Sequence, residues 1–209
     1  MPRRRQRPNI PVTLTLPAES PTQAEIDAIL MTTDAIISQA GRNGVILILN
    51  GSRSQKVKRW EWDKLPDYGA LSHLTAKEIG TKVDWCIHHN WLRIEYSDGL
   101  PFLLHTAKGW PRVKQIWVDR IIGWLEQWQA DDTPTALWPR LEHINREIKH
   151  MVLEKIERDE RRDLVPILGH WFSHEVRKVR TAINHTLQEL GERPLAHSRS
   201  GQNTRLETN

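Results

Sequence analysis

Within six residues, the segment Gly51-Ser52-Arg53-Ser54-Gln55-Lys56 gathers groups suited to holding a phosphate. Small residues at a helix start leave backbone N–H groups accessible, and such groups bind phosphate well. Ser52 and Ser54 add hydroxyls, Arg53 and Lys56 add charge, and Lys58 follows two residues on. The competing reading is a plain cap and turn. A second phosphate patch is expected where Tyr68-Gly69 and Thr75 with Lys77 stand at two further helix starts, although Tyr68 serves equally well as a turn or core residue. Lys77, Thr81, Lys82, Trp85, His88 and His89 would line the exposed face of a helix over 76–90, where Lys82 can pair with Glu78 one turn away. On the hairpin after it, Arg93, Tyr96 and Phe102 complete the candidate contacts.

Other chemistry finds little support. The ten His are scattered; His88 and His89 are adjacent and so point to different faces of a helix. His170 and His174 are spaced to share a ligand, but no Cys or carboxylate pair accompanies them. The single Cys86 excludes a disulfide framework and a cysteine-rich zinc site. His174-Glu175 lacks the second His of a zinc-protease motif, and no G-x-S-x-G elbow or phosphate-binding G-x-x-x-x-G-K-[ST] loop occurs. The expectation is a non-enzymatic protein with no catalytic residue, metal or cofactor.

The elements that position these residues are read from spacing. Residues 1–19 carry Pro2, Pro8, Pro11 and Pro17 and form an arm, with alternation in Val12–Leu16 that suits one short strand. Ser20 is a candidate N-cap with Pro21 at N1, and Thr22 with Glu25 is a candidate capping box. Ile26, Leu30, Thr33, Ile37 and Ala40 then share a helical face that Gly41 and Gly44 terminate. The apolar run Val45–Leu49 reads as either strand or helix. Residues 54–59 suit a short polar helix, Leu65–Gly69 a turn, and Ala70–Leu74 another short helix.

Thr75 and Glu78 make a further capping box. Ile79, Val83, Cys86, Ile87 and Trp91 recur at helical spacing, and Asn90 suits a left-handed C-terminal position. Leu92–Tyr96 alternates as a strand, Ser97–Pro101 is the turn, and Phe102–Thr106 returns. After Gly109 a long helix carries Val113, Ile116, Trp117, Arg120, Ile121, Trp124 and Trp128 on one face. The stretch 131–134 breaks it, and two helices follow. One carries Leu137, Leu141, Ile144, Ile148, Val152 and Ile156. The other, starting near Pro166, carries Leu168, Trp171, Phe172, Val176, Val179, Ile183, Leu187 and Leu190.

The expected fold is mainly α with a small β-hairpin wing: a winged helix-turn-helix followed by an α-helical C-terminal extension. It divides into a basic arm (1–19), a winged-helix domain with its preceding helix (20–114), a helical region packing on it or forming a small bundle (115–190), and a disordered tail (191–209).

Charge follows this division. The net charge is +4, but residues 41–114 hold twelve Lys/Arg against seven Asp/Glu. Arg3, Arg4, Arg5 and Arg7 make the arm basic as well, a candidate minor-groove insertion. An excess placed this way suits a polyanion, against the alternative of ordinary solvated charge. No apolar run is long enough to span a membrane and no leader pattern occurs, so a cytoplasmic, nucleoid-associated protein with no membrane partner is expected. Most of the ten Trp should fill cores.

Three motifs between Gly41 and Gly109 resemble the winged-helix RQC domain, the RecQ C-terminal family. Leu49–Lys56 is similar to its Leu-x-Gly-Ser-x-Ser-x-Lys segment, and Leu65–Gly69 to its Leu-x-x-Tyr/Phe-Gly turn. Asn90-Trp91-Leu92 stands where the family has Gly-Tyr/Phe-Leu, and Leu103–Gly109 resembles its closing Leu-x-Leu-Thr-x-x-Gly. A four-cysteine zinc module cannot form with one Cys, so the resemblance is to a stand-alone, minor RQC type without the helicase core.

It implies DNA as partner, duplex or forked, gripped through the backbone and shape rather than through base edges. It also implies a possible accessory role to a separate helicase or nuclease. In long-winged relatives an aromatic at the wing tip separates strands. Here the tip 97–101 has none, Phe102 suits a core, and Glu95 and Asp98 would repel phosphate. Duplex binding is the safer expectation. The alternatives are a protein-interaction adaptor anchored by Trp117, Trp124 and Trp128, and a sequence-specific transcription regulator.

Overall fold

The computed structural model describes residues 8, 9, 11–131 and 137–196. It contains helices α1 (Gln23–Ala35), α2 (Arg42–Leu49), α3 (Gln55–Arg59) and α4 (Ala76–His88), then strands β1 (Leu92–Ser97) and β2 (Leu100–His105). The helices α5 (Gly109–Asp131), α6 (Trp138–Glu142), α7 (Arg146–Arg158), α8 (Val165–Ser173) and α9 (Arg177–Glu189) follow. Two compact units divide inside α5, between Ile116 and Trp117. Mainly helical structure with one antiparallel hairpin is the fold class the sequence implied.

In the first unit α1 begins at Thr22, not Ser20. The Thr22 hydroxyl accepts the Glu25 amide and the Glu25 carboxylate accepts the Thr22 amide, a reciprocal box that satisfies two orphan donors. The helix stops at Ala35 rather than running to Ala40. Ser38 takes a left-handed conformation that turns the chain, which leaves Ile37 exposed while Ile36 enters the core. The ambiguous run Val45–Leu49 is helical. Val45, Ile46, Ile48 and Leu49 are all buried, so no amphipathic period was available to read. At Gly41, which starts α2, a Cβ would lie 2.2 Å from the Pro101 carbonyl oxygen, and only glycine permits the approach of the hairpin.

Two other short expectations fail, and in each a backbone amide donates to a tertiary partner. Val12–Leu16 forms no strand, and the Thr15 amide donates instead to the buried Asp84 carboxylate. Ala70–Leu74 is a series of turns rather than a helix, with the Leu71 amide donating across to the Leu49 carbonyl.

α4 starts at the Thr75–Glu78 box and buries Ile79, Val83 and Cys86. Asn90 is left-handed at its end, at φ 60°. β1 and β2 pair from Leu92 opposite His105 to Ser97 opposite Leu100. The tip is therefore two residues, not five: Asp98 and Gly99 both have positive φ, the type I′ geometry that matches strand twist.

Ion pairs bind the elements of this unit together. The Arg42 guanidinium on α2 grips the fully buried Asp84 of α4 with two hydrogen bonds of 2.6 and 2.9 Å. Lys82 on α4 reaches Glu25 on α1 at 2.9 Å, and Arg112 on α5 reaches Asp27 on α1 at 2.5 Å.

The second unit has its own core, including Ile121, Leu125, Leu141, Val152, Ile156, Leu168, Trp171, Ile183 and Leu187. Its two expected helices are each split. Asn145 caps α7 by accepting the Glu147 amide, which separates α6 from α7 and leaves Ile144 between them. Glu175 interrupts the other. Its carboxylate is drawn inward to the Lys149 ammonium (2.6 Å) and the Trp171 indole N–H (2.8 Å), and Val176, expected in the core, is 65% exposed. Of the tail expected over 191–209, residues 197–209 lie outside the described residues; upstream, the Asn184 side chain donates to the Leu195 carbonyl and accepts the Leu195 amide. Nor are the α5 tryptophans free anchors: Trp128 is buried, Trp124 is half-buried, and the Arg140 guanidinium covers both rings.

Candidate nucleic-acid interface

Gly51 and Ser52 end α2 rather than begin α3. The Gly51 amide donates to Ile48 and the Ser52 amide to Leu47, with Gly51 at φ +71°, a Schellman C-cap. These two amides, expected to face a phosphate, are therefore taken. The Ser54 amide donates to the Ser52 hydroxyl at 3.3 Å, and Ser54 caps α3 by accepting the Val57 amide. Each serine oxygen is used as an acceptor, which leaves its O–H proton available to donate.

The structure joins the Tyr68-Gly69 part of the second expected patch to the Gly-Ser loop. The Gly69 amide donates to the same Ile48 carbonyl, and the Tyr68 hydroxyl donates to the Ser52 carbonyl at 3.0 Å. A Cβ on Gly51 would sit 3.3 Å from the Gly69 Cα. Tyr68-Gly69 thus buttresses the Gly-Ser loop from behind, and the second glycine, also at positive φ, allows the close approach.

What this loop displays is positive charge. Arg53, Lys56, Lys58 and Arg59 are all exposed, and among the described residues none has a carboxylate partner. Lys56 lies 5.5 Å from the centre of the Trp62 ring instead. Elsewhere in the unit Arg42, Lys64, Lys82, Arg93 and Arg112 are neutralised by Asp84, Glu61, Glu25, Glu95 and Asp27. Lys82 is at the middle of α4 and turned toward α1 rather than toward Glu78.

The α4 N-terminus already holds an anion. The Glu78 carboxylate accepts both the Thr75 amide and the Thr75 hydroxyl at 2.7 Å, and these bonds hold its carboxyl below the usual range. Thr75 has no donor left for a phosphate, while Lys77 beside it stays exposed. His89 does not extend a contact face either: its ring stacks on Trp85 at 3.8 Å.

On the wing, Arg93 pairs with Glu95 along one strand, and Phe102 stands opposite Glu95. Phe102 is half-buried in a groove with Gly41, Arg42, Pro11 and Val12, away from the hairpin tip. Tyr96 is 37% exposed opposite Pro101. Arg53 and its neighbours, the Gly-Ser loop and the Tyr-Gly turn come together; Arg93, Tyr96 and Phe102 belong to the separate hairpin.

The family model of the RQC domain matches residues 22–115. Residues 22–115 are an RQC domain. The match begins at the N-cap of α1 and ends within α5, so it takes in the preceding helix, the helix-turn-helix and the wing. No curated protein and no solved structure matches the chain. The RQC domain is a DNA-binding winged-helix domain and is not itself catalytic.

Arg3, Arg4, Arg5 and Arg7 fall outside the described residues. Two residues escaped the sequence reading of the RQC domain. Arg59 extends the unpaired cation cluster, and Trp60 is 53% exposed beside it. The signal for Trp60 was present in its i, i+4 spacing from Lys56, but ten Trp in a chain that must fill cores hid it. Among the described residues, no group of three or more His, Cys, Asp or Glu is placed to hold a metal ion, and no helix is long and apolar enough to cross a membrane.

Proposed function

We propose that the chain is a non-enzymatic DNA-binding protein whose RQC domain grips the sugar-phosphate backbone of duplex or branched DNA. The observation that carries this is the cation cluster Arg53, Lys56, Lys58 and Arg59, without a carboxylate partner among the described residues, on the loop and helix α3 where an RQC domain is expected to meet phosphate. An uncompensated cluster of this kind releases counterions on binding, which gives affinity without sequence readout.

The Ser52 and Ser54 hydroxyls donate to phosphate oxygens, Arg53 and Lys56 supply charge, and Lys58 and Lys77 flank them. Gly51, Tyr68 and Gly69 act by holding the loop in shape. Thr75 and Lys82 contribute to folding, because Glu78 and Glu25 occupy their donors. Arg93, Tyr96 and Phe102 on the short wing guide the duplex rather than separate its strands. In this reading the protein serves as an accessory to a separate helicase or nuclease.

The reading is tested by titrating labelled single-stranded, blunt, forked and junction DNA with the full chain at fixed salt. Binding to the duplex-containing forms, with little preference among sequences, is expected. Absence of binding to every form, or a sharp sequence motif in selection from random duplexes, would overturn it.

A further inference from the structure

The exposed indole of Trp60 is the feature that DNA-backbone binding leaves without a purpose. Trp60 ends α3, and its amide closes the helix on the Lys56 carbonyl. Glu61 then takes a left-handed conformation, φ 54°, unusual for a residue with a side chain. That reversal sends Trp62 into the core, where its indole N–H faces the Gln39 side chain at 3.5 Å, and leaves Trp60 in water. The two rings lie 6.4 Å apart and only 20° from parallel, so the buried indole backs the exposed one. Lys56, Arg59 and Trp60 are spaced i, i+3 and i+4 and share a face of α3. The adjacent acid in sequence, Glu61, is neutralised by Lys64 at 2.5 Å.

A large aromatic held in water among uncompensated cations fits one class of ligand best. Cores of protein–protein interfaces are depleted in Lys, whereas surfaces for single strands combine backbone-tracking cations with aromatic rings on which bases stack. We infer that Trp60 is a stacking platform for an unpaired base, with Arg53, Lys56, Lys58 and Arg59 holding the phosphates of the strand that carries it. A base inside a duplex has no free face, so Trp60 acts only on single strands and on the unpaired arms of forks. The RQC domain would thereby engage a separated strand through α3 rather than through its wing. This rests on the DNA-binding reading above.

The test measures affinity of the full chain for an oligothymidylate and for a long blunt duplex at one salt concentration, for the wild type, Trp60→Ala and Trp60→Phe. Stacking of one base predicts that Trp60→Ala loses about 5- to 150-fold in oligothymidylate affinity. Duplex affinity should stay within about twofold, which also shows that the variant is folded. Trp60→Phe should recover most of the loss. If Trp60→Ala binds oligothymidylate as the wild type does while duplex binding persists, the stacking role falls and the DNA-binding reading stands. Equal loss on both DNAs also removes the stacking role. A wild type that binds neither DNA removes both. If the substitution alters self-association alone, Trp60 is a protein contact and the inference is wrong.

Discussion

Asp84 has no surface in water, yet it carries three hydrogen bonds: two from the Arg42 guanidinium and one from the Thr15 amide. One carboxylate thus ties the N-terminal segment, α2 and α4 together. Removing one partner of such a pair leaves the other desolvated and unpaired, a loss of about 3–5 kcal/mol. Asp84→Ala should lower the stability of the full chain by about that amount in chemical denaturation. A change under about 1 kcal/mol would show that solvent already satisfies Arg42. Pairing of this kind is invisible in sequence, since Arg42 and Asp84 stand 42 positions apart. The Gly-Ser segment, by contrast, announced itself through local composition. Its physical role was only half legible, because whether Gly51 closes one helix or opens the next depends on where α2 ends.

The capped helices were the most legible elements, and they make the clearest prediction about pH. Glu78 at the start of α4 is held in its charged form by the Thr75 amide and hydroxyl, so its carboxyl lies below the usual range. At Glu25, burial pushes the carboxyl up, but the Lys82 ammonium and the Thr22 amide and hydroxyl outweigh it and the net direction is also down. A carboxyl lowered in the folded state contributes stability that is present above its unfolded value, about 4.3, and is lost as pH falls through the lower folded value. Thermal melts should therefore lose stability below about pH 4, and Glu78→Gln should blunt that dependence. A melting temperature that falls as steeply in the variant would place the titrating groups elsewhere.

Elements without such local signals were read less well. α2 has apolar residues on all sides, and within the turns at 70–74 the Leu71 amide donates to α2. The helices of the C-terminal unit were read as longer than they are, because Asn145 and Glu175 break them by capping and by burial, which hydrophobic spacing cannot register.

At the scale of the whole molecule, two compact units share the continuous helix α5, with the division after Ile116. The RQC match ends one residue before that division. A fragment ending at Ile116 should thus fold cooperatively and keep its DNA affinity, as read by circular-dichroism melting and titration. Insoluble protein, or a melt without a cooperative transition, would show that the first unit depends on the second. Net charge supports the same division of labour. The excess of cations lies in 41–114, and within it the ion pairs of Arg42, Lys82 and Arg112 hold the fold while the α3 cations remain unpaired.

Whether that unpaired charge is what meets DNA is decided most directly by salt. Duplex affinity is measured across a range of salt concentrations for the wild type and for the double variant Arg53→Ala with Lys56→Ala. Each phosphate contact contributes about 0.9 to the slope of log affinity against log salt, so the double variant should bind more weakly and with a slope shallower by about 1–2. An unchanged affinity and an unchanged slope would contradict the account, because the Gly-Ser loop would then lie off the DNA.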